Sequence, residues 1–254
     1  MPRFAVSLNL MFTEWPLLDR FAAAADAGFT AVEVQVPYGE TPDAIARKLA
    51  DNRQELILIN TPRGPDAAGG RGLGALPGYG AEFREAMATV MRYVEATGVR
   101  KVHVQSGSGA GANAETFKDS LKLAADMLGT RGAEALLEPL NLRDNPGYFM
   151  SDFDLAARII RELALPNVRL QYDVYHRQSL HGDIARSLSE LMPIVGHVQI
   201  AGVPERHEPV DCEIDFGHVF RLLDKLGYTG WIGLEYRPRA GTREGLGWLE
   251  RWKS

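Results

Sequence analysis

Short apolar and β-branched runs recur along the chain, and each is followed by a longer stretch whose apolar residues return every three or four positions. The runs read as strands are FAVSLNL (4 to 10), AVEVQV (31 to 36), ELILINT (55 to 61), KVHVQSG (101 to 107), EALLEPL (134 to 140), VRLQYDV (168 to 174), IVGHVQI (194 to 200) and GWIGLEY (230 to 236). Each has the length of an ordinary strand. Between them lie helical patterns such as LLDRFAAAADAG, whose apolar stripe closes on Gly28, and DFDLAARIIRELA, which opens on Ser151 or Asp152 as N-cap.

The count is eight strands and eight helices in 254 residues. Strict β, α alternation implies a parallel sheet, and eight such units match a closed (β/α)8 TIM barrel. An open doubly wound sheet is the rival, but no strand-turn-helix start carries a G-x-G-x-x-G turn. The glycine-dense AAGGRGLGALPGYG (67 to 80), in the long connection after the third strand, is not followed by the Gly-Lys-Ser/Thr of a phosphate loop. It reads as a flexible surface loop or as a lid over the barrel mouth. With no linker or low-complexity tract, residues 1–254 are expected to form one domain.

Composition narrows the function classes. A net charge of −5 and a pI near 5.7 give no footprint for nucleic acid or an anionic membrane, which makes a small molecule the expected partner. The N-terminal run breaks at Ser7 and Asn9, too soon for a secretion signal, and no apolar segment approaches the roughly 18 residues of a membrane span. Cys212 is the one cysteine, so no intrachain disulfide and no cysteine-rich zinc site can form, and a reducing cytoplasm is the expected location.

Four of the predicted strands end on oxygen-bearing side chains: Glu138, Asp173, Gln199 and Glu235. In a barrel of this kind the active site lies at the C-terminal ends of the strands, so these residues are expected to converge on one rim. Three carboxylates there would repel one another, and a divalent cation removes the difficulty. Three anionic oxygens and one amide oxygen suit a hard ion such as Mg2+ or Mn2+. A lone strand-end glutamate is more often a cap or ion-pair partner; four such positions on four successive strands shift the balance toward a ligand set.

The chain resembles the hydroxypyruvate isomerase family, within the xylose-isomerase-like barrels that also hold the ketose 3-epimerases. The matching segments are AVSLNLMFTEWPLLDRFAAAADAGF, NTPRGPDAAGGRGLGALPG with EFREAM, LLEPLN, QYDVYH, HVQIAGVPERHEP and GLEYRP. The epimerases typically place a histidine where this chain has Gln199. The resemblance implies that Glu138, Asp173, Gln199 and Glu235 hold the metal, and that Glu138 and Glu235 also transfer the proton. It supports His176, three residues after Asp173, as a substrate contact. A substrate carboxylate calls for a cation, with Arg206 the first candidate and Arg71 the second. His207 and Glu208 are expected to brace the Arg206 loop, Asn9 to face the mouth or the barrel interior, His103 to be a packed core residue, and Glu14 and Trp15 to line the mouth or an oligomer contact.

The expected reaction interconverts hydroxypyruvate and 2-hydroxy-3-oxopropanoate (tartronate semialdehyde) through an enediolate. A four-carbon 2-oxo-tetronate could use the same groups, and a ketose 3-epimerase is the nearer rival. Asp144, where epimerases commonly carry a glutamate, and the run EPVDCEIDF depart from the related patterns and bear on substrate choice. A metal-dependent abasic-site endonuclease shares the barrel but needs more histidine ligands and a basic DNA-tracking face. A non-enzymatic binding protein would have no use for the intact polar set. A homo-oligomer is compatible with the sequence.

Overall fold

The computed structural model describes residues 2–65 and 70–252. Eight parallel strands, β1 (Arg3–Ser7), β2 (Ala31–Glu33), β3 (Glu55–Asn60), β4 (Lys101–His103), β5 (Glu134–Leu137), β6 (Val168–Asp173), β7 (Val195–Ile200) and β8 (Trp231–Leu234), close into a barrel. Closure is made by β1 against β8, with Arg3 to Val6 in register with Trp231 to Leu234. The helices are α1 (Leu17–Asp26), α2 (Pro42–Asn52), α3 (Gly80–Thr97), α4 (Ala114–Gly129), α5 (Phe153–Leu163), α6 (Val174–Leu180), α7 (Ile184–Leu191) and α8 (Phe216–Lys225). Among the described residues no helix is long and apolar enough to cross a membrane.

Local chemistry sets the helix ends. Thr41, Asn113, Asp152 and Asp215 each accept a bond from a backbone N–H in the first turn of α2, α4, α5 and α8, so Asp152 and not Ser151 starts α5. Gly28, with φ of 91°, turns the chain after α1 as only glycine does easily. The helices lay Phe21, Phe117, Leu121, Phe153 and Phe220 against the outside of the barrel, all fully buried. Each such side chain contributes about 1.5–3 kcal/mol relative to exposure.

The connectivity departs from one helix per strand. Two helices, α6 and α7, follow β6, and a 3-10 helix (Glu244–Trp252) takes the place of an α-helix after β8. Gly245 and Gly247 weaken α-helical propensity in that last segment, whose buried Trp248 stacks on Phe220 and meets Phe4 edge to face. Most strands also end earlier than the apolar runs. The run 101–107 keeps only Lys101–His103 in the ladder, because Gln105 turns to the Thr61 hydroxyl, Ser106 pairs with Gly72, and the Gly107 carbonyl accepts from Phe149.

That detour changes the reading of the glycine-dense segment. Residues 67–69 lie outside those described, but from Gly70 onward it is neither a free loop nor a detached lid. The Gly72, Gly74 and Ala75 N–H groups donate to the Arg63, Gln105 and Ser106 carbonyls, and Leu73, Ala75 and Leu76 are buried. At Gly72, φ is 102° and an added methyl would overlap Gln105, whose carbonyl carbon lies 2.7 Å from where it would stand.

Candidate active site

At the C-terminal ends of the strands a cavity of about 820 Å3 opens to solvent. Glu138, His103, His176 and Glu235 line it, and Arg63, Arg71, Arg206 and Arg237 open onto it. Glu138 is the first residue after β5, Asp173 the last of β6, and Glu235 the first after β8. Gln199 lies in β7 beside Asp173, its register partner. Glu138, Asp173 and His176 bring one donor atom each within 4.8 Å of one another, forming a possible metal-binding triad. The expected set overlaps it at Glu138 and Asp173; His176 joins the group, while Gln199 is held by an amide network. Its Nε2 donates to Glu33 Oε2 at 2.7 Å and its Oε1 accepts from Gln171 Nε2 at 2.5 Å.

The local backbone explains these placements. Asp173 ends β6 and caps α6, its Oδ1 accepting the Tyr175 N–H at 2.8 Å. The other oxygen, Oδ2, faces His176 Nε2 at 3.6 Å and Arg206 Nη2 at 3.7 Å. Arg206 sits at a left-handed φ of 58°, which turns its guanidinium back over the Tyr175 ring and onto Glu235, with Nη2 3.2 Å from Oε1. Burial raises the Glu138 carboxyl well above the usual range, with Glu235 and Asp173 adding repulsion and Arg206 and Gln171 opposing it. Burial pushes Asp173 up to about 6 and Glu235 up to about 8, with Arg206 the main opposing charge at both.

The two cavity histidines, His103 and His176, are neutral. Burial pushes His103 down to about 3, so its approach to Glu138 at 3.1 Å is a contact between a neutral ring and the carboxyl rather than an ion pair. Burial, with Arg206 adding, lowers His176 well below its ordinary value. The Asn141 N–H donates to His176 Nδ1 at 3.0 Å, so in the neutral ring the proton sits on Nε2, on the side of Asp173. A protonated Nε2 donates to an oxygen and has no lone pair for a cation, so in this tautomer His176 stands beside the two carboxylates of the triad as a donor rather than a ligand.

The buried donor set fits a divalent ion. Three carboxylates crowd one pocket, and Glu138 Oε1 and Asp173 Oδ2 are buried with no hydrogen-bond partner among the described residues. A hard cation satisfies such oxygens and relieves the repulsion that raises their pKa values.

The two candidate arginines differ. Arg206 is engaged with Glu235 and Asp173, and the contacts of Arg71 are with neutral oxygens, Asn145 Oδ1 and the Asp144 carbonyl. Asp144 itself is held by the Tyr175 hydroxyl and the Asn141 amide. Asn9 lines the mouth and accepts the Val36 N–H. Glu14 instead ties the loop after β1 to Thr242, and Trp15 beside it is partly exposed. His207 bonds the Arg237 carbonyl and Glu208 the Arg239 N–H, so both hold the Arg206 loop. Sequence reasoning passed over Glu33, Gln35, Gln171 and His197. The signal was present, because polar residues at every second position of VEVQ, QYD and HVQ share a strand face.

The barrel and the carboxylate rim define a class before any particular protein: the chain belongs to the xylose isomerase-like TIM barrel family, whose model matches residues 21–252. A 2-oxo-tetronate isomerase of Cupriavidus necator is 44% identical over 256 residues, covering 98% of each chain. The hydroxypyruvate isomerase of Escherichia coli is 35% identical over 258 residues, covering all of both. A crystal structure from Brucella melitensis, named AP endonuclease, family 2, superposes with a TM-score of 0.97 at 41% identity and full coverage of both chains. Full-length likeness to proteins named isomerases supports an isomerase of this family.

Proposed function

We propose that the protein is a divalent-metal-dependent isomerase of short 2-oxo acids, interconverting hydroxypyruvate and 2-hydroxy-3-oxopropanoate or the four-carbon equivalent through an enediolate. The observation that carries this reading is the pair of glutamates with raised pKa values, Glu138 buried and Glu235 half-buried, sharing one arginine-lined cavity. Glu138, Asp173, Gln199 and Glu235 would hold a cation of the Mg2+ or Mn2+ type, which when bound supplies Lewis-acid stabilisation of negative charge on the substrate oxygens.

The protein's own groups then have distinct tasks. One glutamate removes the proton from C3 and the other delivers a proton to C2, while the hydroxyl proton passes from the C3 oxygen to the C2 oxygen. Burial and mutual repulsion raise both carboxyls above the ordinary glutamate range, and a cation held between them would draw both back down, so that each can exchange a proton with carbon. His176 Nε2–H donates to a substrate oxygen. Arg71, with neutral partners, receives the substrate carboxylate, and Arg206 holds Glu235 and Asp173 in place.

A cavity of about 820 Å3 is roomy for a three-carbon acid, and the Cupriavidus relative is a 2-oxo-tetronate isomerase, so the longer acid is the second reading. Proton NMR in deuterated water tests both. The metal-loaded protein is given hydroxypyruvate, a 2-oxo-tetronate and a neutral ketose in separate tubes. Deuterium entering C3 of an acid with appearance of the aldehyde, abolished by chelation, is the expected result. Exchange confined to C3 of the neutral ketose would make the protein an epimerase. An abasic-site duplex run alongside covers the activity for which the Brucella protein is named; its cleavage would sink the isomerase reading.

A further inference from the structure

Beneath the carboxylates the barrel interior is polar where bulky aliphatic side chains usually fill it. Glu33 is fully buried at the end of β2 and takes three nitrogen contacts: Gln35 Nε2 at 3.1 Å, Gln199 Nε2 at 2.7 Å and His197 Nε2 at 2.5 Å. Strands β2 and β7 are separated in the barrel by β1 and β8, so the bonds to His197 and Gln199 run through the lumen. Gly233 on β8 leaves the room: a methyl there would overlap Glu33 Oε1 and stand 2.7 Å from Gln199 Cγ. A buried carboxylate in a cleared space at the barrel centre is costly unless it is fully bonded, and this one is.

An amide can face either way, and its two ends differ in chemistry. Glu33 Oε2 accepts from the Gln199 NH2 group, and this turns the Gln199 carbonyl oxygen toward β6. There Oε1 accepts from Gln171 Nε2. A carbonyl oxygen has two lone pairs, so one remains beyond that bond. We infer that Glu33 is a positioning residue: it locks the Gln199 amide with its oxygen, and not its N–H groups, on the side of Glu138 and Asp173. This rests on the reading of Gln199 as an oxygen ligand. Without Glu33 the amide is free to rotate by half a turn and offer N–H to a cation, which repels it.

The test is Mn2+ binding to the chelator-stripped full chain, followed by calorimetry, with thermal unfolding of the same samples. Gln199→Ala and Glu33→Gln are each expected to weaken Mn2+ binding by about 10- to 100-fold, the scale of lost outer-shell contacts. A merely structural Glu33 would lower Tm and leave the affinity of the folded protein alone. Weakening by Gln199→Ala but not by Glu33→Gln overturns the positioning role and spares the ligand. No weakening by Gln199→Ala removes the ligand reading, and this inference with it.

A reversed pair serves if Glu33→Gln does not fold. Gln199→Glu alone sets two carboxylates face to face, whereas Glu33→Gln/Gln199→Glu restores an amide-to-carboxylate bond in the opposite direction. The double variant is expected to bind Mn2+ at least about tenfold more tightly than Gln199→Glu alone. Equal affinities would overturn the coupling between the two positions.

Discussion

Stripped of metal, the protein should lose stability as pH rises from 6.5 to 8.5, with Glu235 setting much of the slope. Its carboxyl moves from an ordinary 4.5 to about 8, chiefly through burial. Between those values the folded chain keeps a proton that the unfolded chain has released, so stability falls as pH climbs and the loss is complete above about 8. Buried neutral histidines act in the opposite sense. With His103 held at about 3 and His176 also lowered, the unfolded chain binds the extra protons, and that loss occurs on acidification below about 6.5.

Beginning at pH 6.5 therefore isolates the carboxylates, and Asp173, near 6, has by then mostly ionised. From pH 6.5 to 8 Glu235 costs about 2 kcal/mol, at about 1.4 kcal/mol per pH unit. For a chain of this length that lowers Tm by about 4–8 °C. Glu138, also raised, adds to the fall. Scanning calorimetry of chelator-treated protein at half-unit pH steps measures it, with Glu235→Gln expected to flatten the slope and saturating Mn2+ to restore stability at the alkaline end. A metal-free Tm that stays level or rises across this window would refute the electrostatic account, as would an undiminished slope in Glu235→Gln.

Three further outcomes follow from the same geometry. Glu138→Gln and Glu235→Gln should each cut substrate deuterium exchange by at least about 100-fold, with circular dichroism unchanged; retained exchange in either removes that residue from the shuttle. Arg71→Ala should lower kcat/KM for the 2-oxo acid by about 10- to 100-fold, mainly through KM, as loss of a charge-assisted contact implies; an unchanged KM assigns the carboxylate elsewhere. Gly72→Ala, forced into a left-handed φ against Gln105, should cost roughly 1–3 kcal/mol, read from the urea midpoint.

The barrel and its rim were legible because both rest on period. Apolar runs of strand length alternate with helical stripes, and the residues that break those runs, Glu138, Asp173 and Glu235, fall where strands meet the mouth. What escaped depends on partners distant in sequence. Nothing near Arg206 in the chain announces that its guanidinium meets Asp173 and Glu235, and nothing in RGLGALPG shows that Gly72 bridges to Ser106. The polar lumen is an intermediate case. Glu33 was visible as a charge inside an apolar run, but its role emerges only once β2 and β7 face each other across a closed barrel.

The stapling of Arg71 has an evolutionary consequence. This arginine rides on a segment fastened to the turn after β4, whereas Glu138, Asp173 and Glu235 grow directly from their own strand ends. On the proposed reading, the anchor for the substrate's acidic end and the proton-moving groups are therefore inherited on separate pieces of chain. Insertions or exchanges in the stretches around 62–79 and 105–113 can retune which acid is accepted while the reaction chemistry stays intact, so one scaffold can diversify its substrates through a cassette.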